Sequence, residues 1–131
     1  MVDDNDTILM RYLTDSYRGQ LERYGALRDI TRQLMGKLVL SRGDVHAVTD
    51  GLTRKRRLLD EIEAERRRIE RQIRTWEERK AAIARCVESD RLDGILQRIT
   101  DTIKEFLDDE TQLGRYLESC ITRAGSASAL R

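Results

Sequence analysis

Apolar residues fall at steps of three and four along almost the whole chain. From residue 45 the series reads Val45, Val48, Leu52, Leu59, Ile62, Ile69, Ile73, Trp76, Ile83 and Val87, with Lys55, Arg66 and Lys80 in the gaps. Steps of this kind put one face of a helix on a continuous seam. The pattern resumes at Leu92, Leu96, Ile99, Ile103, Phe106, Glu110, Leu113, Leu117 and Cys120, flanked by Ile95, Leu107 and Ile121. The flanking row widens the stripe, as packing against two neighbours requires. Leu9, Leu13, Tyr17, Leu21, Tyr24, Leu27, Ile30, Leu34 and Leu38 make a third, less regular stripe, crossed by Gly19, Gly25 and Gly36.

Breaks between the stripes are legible. The stretch "SRGD" at 41–44 offers Gly43 as a stop and Asp44 as a cap, and Ser89 or Asp90 offers the next cap. The spacing predicts helices near 6–41, 45–87 and 91–123, followed by a small, polar, flexible tail at 124–131. Short connections make consecutive helices antiparallel. The expected fold is all-α: a single domain, 1–131, built as an elongated antiparallel three-helix bundle, or helical hairpin, with coiled-coil packing.

Composition supports this reading. The 131 residues contain no proline, and charged residues make up 37% against 5% aromatic, a balance that suits long helices better than sheets. With 25 Lys and Arg against 24 Asp and Glu, nothing draws the whole chain toward nucleic acid or acidic membranes. The sequence offers no run of apolar residues near membrane length, and "MVDDNDT" lacks the basic and apolar regions of a signal peptide. A cytoplasmic location is expected, in keeping with reduced Cys86 and Cys120.

Two basic clusters, Arg54-Lys55-Arg56-Arg57 and Arg66-Arg67-Arg68, raise the question of nucleic acid. Between 54 and 80 there are eleven Arg or Lys and seven Asp or Glu; between 90 and 123, five and eight. Lying side by side, the two segments would answer each other. Pairs such as Arg57 with Glu61, Glu63 with Arg67 and Glu70 with Arg74 would add support along the helix. Trp76 is the only aromatic near the clusters, whereas single-strand binding uses aromatics interleaved with cations. The clusters read as a wet helix face, and no nucleic-acid partner is expected. Lys55, Arg66 and Lys80 lie on the seam itself. Each either extends its head to water or meets a carboxylate such as Glu110 as a register device.

No catalytic constellation is present, and the expectation is a protein that is not an enzyme and takes no cofactor or metal. His46 is the only histidine and has no neighbouring Cys or His at metal spacing. Asp108 and Asp109 point to different sides of a helix, so "DDE" does not converge on a cation. Cys86 and Cys120 are far apart along the expected rod, too far for a disulfide.

One stretch carries a resemblance. "LERYGALRDITRQLMGKLVLSRGDVHAVTDGLTRKRRLLDEIEAERRRIE", 21–70, resembles the flagellar export chaperones of the FlgN/FliT kind, type III secretion chaperones of flagellar assembly. The shared features are a first helix ending in Leu-rich turns, a short Gly-Asp break, and a helix with Leu52, Arg54, Lys55, Leu58, Leu59, Ile62 and Arg66. The remainder matches by architecture, and "DDETQLGRYLESCI" stands where related chains are often Asn-rich. The resemblance implies a chaperone that binds terminal helices of hook-associated or filament-cap subunits, prevents premature assembly and delivers its client to the export apparatus. It places the client on the last helix, at Leu113, Tyr116, Leu117, Cys120 and Ile121. Two other classes are compatible with a seamed rod: a structural coiled-coil scaffold or export-apparatus stalk, homodimeric or not, and a nucleic-acid-associated helical protein.

Overall fold

A computed structural model describes residues 3–129, with side chains over 3–123. The described residues form helices joined by short connections, without strands. In chain order they form α1 (Asp4–Leu40), a 3-10 turn (Val45–Val48), α2 (Thr49–Arg68), α3 (Glu70–Arg79) and α4 (Val87–Ala129).

Helix α1 starts where Asp3 accepts the Asn5 amide N–H at 2.9 Å, with Asp4 and Asp6 in the first turn, where the helix dipole favours acids. It ends in a Schellman motif. The Gly43 amide donates to the Leu38 carbonyl at 2.8 Å and the Arg42 amide to the Val39 carbonyl at 3.2 Å. The left-handed residue closing this motif is Arg42, at φ 57°, one position before the expected glycine. Gly43 follows at φ 91° for a second reason: a Cβ there would sit 2.7 Å from the Cys120 sulfur. Asp44 then caps the 3-10 turn by accepting the His46 amide at 3.1 Å.

The expected single helix over 45–87 is divided. Between α2 and α3 the backbone bends at Ile69 (φ −102°, ψ 8°), where the helix is interrupted for one residue. Ile69 still donates to Glu65 at 3.1 Å and accepts from Ile73 at 3.0 Å. The bend keeps the arm wrapped on the interior, where Ile69 and Trp76 cluster with Met10, Leu13 and Leu92. The arm stops at Arg79 because the scaffold beneath it stops: Arg79 pairs with Asp6, in the first turn of α1. The amides of Ala82 and Ile83 both turn back to the Arg79 carbonyl. Ile83, expected on the helix seam, instead folds from the 80–86 connection onto the same cluster, while Val87 is exposed and opens α4. Ser89 then serves from inside the first turn of α4. Its hydroxyl accepts the Cys86 amide and donates to the Cys86 carbonyl, both at 2.9 Å. At the other end, α4 continues as helix to Ala129, through much of the expected tail; residues 130–131 lie outside the described range.

Helices α1 and α4 run in the same direction. Arg11 pairs with Glu88, Arg28 with Glu105 and Arg32 with Asp109, each partner 77 residues on, or eleven heptads, so the two seams stay in step. The α2–α3 arm runs the other way. Asp6 meets Arg79, Tyr12 meets Arg68, Ser16 meets Glu65 and Gln20 meets Ile62.

Three rows of buried residues repeat every seven positions: Asp6, Leu13, Gln20, Leu27 and Leu34 on α1; Val48, Lys55, Ile62, Ile69 and Trp76 along the arm; Leu92, Ile99, Phe106, Leu113 and Cys120 on α4. Each row is mostly apolar, and its polar members all have partners. Asp6 has Arg79, the Gln20 amide donates to the Ile62 carbonyl at 3.0 Å, and Lys55 has Glu110. Buried polar groups left without partners would cost far more than these pairs contribute.

Candidate partner-binding face on the last helix

The five residues singled out on the last helix separate in the structure. Leu113 is buried with Ile30, Leu34, Leu38 and Val48, and Tyr116 and Leu117 pack half-buried against the same cluster. Cys120 is buried under Gly43, and the Arg123 guanidinium lies 3.6 Å from its sulfur. Ile121 alone stands out, 63% exposed. Four of the five thus hold α4 to the body of the protein, and one faces outward.

The 77-residue offset gives this end its shape. It sets Leu40, the last residue of α1, level with Leu117. Helix α4 runs twelve residues beyond that level, about 18 Å, with the 41–44 connection meeting it at Cys120. Val39 and Leu40 are also exposed here, Leu40 at 87%. Sequence reasoning did not single them out. "KLVL" continues the stripe of α1, and only the helix end shows which of its residues run out of neighbours.

The charge pattern differs from the expected complementarity of α2 and α4. Three acids of α4, Glu88, Glu105 and Asp109, pair with α1, and one, Glu110, with α2. The arm largely pairs within itself: Arg67 with Glu63 at 3.2 Å, Arg74 with Glu70 at 2.8 Å, and Arg56 with Asp60 at 3.5 Å. Such exposed pairs, screened by water, contribute little to stability. Of the seam cations, Arg66 and Lys80 are exposed beside Glu63 and Glu77, whereas Lys55 is buried against Glu110.

A polar belt joins α1 to the arm near its bend. Glu65 receives Arg68 and the Ser16 hydroxyl, and Arg68 also donates to the Tyr12 hydroxyl at 2.8 Å. The Arg68 guanidinium, with help from Ser16, holds the Glu65 carboxyl down at about 2. Arg79 likewise lowers the Asp6 carboxyl through their hydrogen bonds.

A cleft of about 500 Å³ opens between the start of α1 and α3, lined by Ile8, Leu9, Tyr12, Gln72 and Thr75 among others. The Gln72 side-chain oxygen is buried without a partner. Asp108, Asp109 and Glu110 diverge as expected: Asp109 turns to Arg32, Glu110 to Lys55, and Asp108 to solvent. Among the described residues no group of three or more His, Cys, Asp or Glu could hold a metal ion, and no helix is long and apolar enough to cross a membrane. Both cysteines are free. Compared with family models, curated proteins and solved structures, the chain matches none.

Proposed function

We propose that this protein is a cytoplasmic export chaperone that receives a terminal helix of a hook-associated or filament-cap subunit on the free end of α4. In this reading α2 and α3 count as one bent arm, so the chain is an elongated three-helix antiparallel bundle. The resemblance over 21–70 supports the class. The observation that carries the site is the length of α4 beyond the end of α1, with Ile121 exposed on it. Ile121 gives this face its exposed apolar residue, which one amphipathic helix, reading by steps of three and four, would cover. Leu113 and Cys120 belong to the support of that face, Tyr116 and Leu117 to its edge, and Ile121 to the contact.

The test is light scattering after size exclusion, with and without a purified hook-associated subunit. A monomer that forms a one-to-one complex, lost in Ile121→Asp at unchanged helicity, supports the proposal. A chain that captures no such subunit refutes it, and a stable dimer by itself points to the coiled-coil scaffold.

A further inference from the structure

Lys55 is the one cation in its buried row, between Val48 and Ile62, and only 5% exposed. Its ammonium meets Glu110 and lies 5.9 Å from the centre of the Phe106 ring. Glu110 is in turn the one charged residue in a row of α4 that otherwise reads Leu96, Ile103 and Leu117. Two apolar rows, each interrupted once by a charge, meet at their interruptions.

A heptad pattern does not define its own alignment, because a slide of seven residues returns apolar against apolar. The slide is mechanically open to α4, which is tied to the rest of the described chain only through the 80–86 connection. One heptad in either direction would set Glu110 level with Val48 or Ile62, and Lys55 level with Ile103 or Leu117. Each such slide takes the buried Lys55 ammonium away from the half-exposed Glu110 carboxylate and sets it against an apolar residue, an outcome much worse than losing an apolar contact. The exposed pairs between α1 and α4 are too weak to decide the matter alone.

We infer that the Lys55–Glu110 pair is a register lock, which selects one axial position of α4 on the α2–α3 arm. It acts by penalising the alternatives, so it adds uniqueness more than stability. It also fixes how far α4 projects past α1.

Distance measurement between spin labels tests this. Labels are placed at exposed positions through Arg54→Cys and Thr100→Cys, with Cys86→Ser and Cys120→Ala. These sites lie at different levels of the rod, so a one-heptad slide changes their axial offset by roughly 10 Å. With the native pair a single distance is expected. With Lys55→Leu and Glu110→Leu together, a second population displaced by a heptad is expected. A single, unchanged distance in that variant overturns the lock. Should the variant lose its helicity, the reversed pair Lys55→Glu/Glu110→Lys decides: one native distance sustains the inference, and two or more overturn it.

Discussion

Gly43→Ala reports on the joint between the end of α1 and the projecting part of α4. Two costs add. Gly43 has φ 91°, where an L side chain is strained by about 1–2 kcal/mol. The new methyl would also stand 2.7 Å from the Cys120 sulfur and 3.4 Å from its Cβ, so the loop or α4 must shift. Overpacking of this kind costs about 1–3 kcal/mol. The expected loss is therefore about 2–5 kcal/mol, and each kcal/mol lowers Tm by about 4 °C in a chain of this size. Urea titration followed by helical circular dichroism gives the value, provided the slope m is unchanged. The two costs separate in the Cys120→Ala background, where the sulfur is gone and the strain remains. Gly43→Ala should be milder there by about 1 kcal/mol or more. If the cost is the same in both backgrounds, Gly43 is not against Cys120, and the joint is misplaced. Arg42→Gly gives the opposite sign, a gain of about 0.5–1 kcal/mol, because it relieves a left-handed arginine.

Other outcomes follow from the same contacts. Leu27 is fully buried with Ile62 and Phe106, where α1, α2 and α4 meet, so Leu27→Ala should cost about 2–5 kcal/mol by the same urea titration. Gly51→Ala should cost about 1–3 kcal/mol, because its methyl would run into the buried Leu34 side chain, whose Cγ lies at 3.1 Å. Stability should also fall in acid. Glu65 is held at about 2 in the folded protein against an ordinary 4.5, so its contribution is complete above about pH 5 and is lost as pH falls toward 2. Asp6 is lowered in the same direction. Thermal melts between pH 7 and pH 2 should show this slope, and Glu65→Gln should flatten it; an unchanged slope would remove Glu65 from the account.

The seam positions already located the helices, because a buried stripe repeats whatever surrounds it. Leu13, Leu27, Ile62, Ile69, Trp76, Leu92 and Leu113 all lie where the steps of three and four put them. Gly19, Gly25 and Gly36 leave α1 unbroken, since long apolar packing outweighs their low helix propensity. What the pattern could not resolve was which of two seam rows turns fully inward. Lys55 lies on the buried row and Arg66 and Lys80 on the outer one, a distinction set by the third helix. The end of the middle arm was hidden for a related reason. Ile83 keeps the helical step, yet the arm has already reached the start of α1 at Asp6. The pairing of charges depended on which helices lie closest, and α4 lies with α1. For the candidate face, the stripe and its flanking row marked Leu113, Leu117, Cys120 and Ile121 as apolar, and Tyr116 entered only through the resemblance. Ile121 is separated from the rest by its face of α4, the outward row that also carries the exposed Leu107.

The most direct test of the central claim is a titration of isotope-labelled protein with a peptide of a hook-associated subunit's terminal helix, followed by amide NMR. A client helix received on α4 gives saturable shifts concentrated over residues 113–129, abolished by Ile121→Asp. Shifts gathered instead around Ile8 and Tyr12 in the cleft beside α3, or no shifts at saturating peptide, would contradict it.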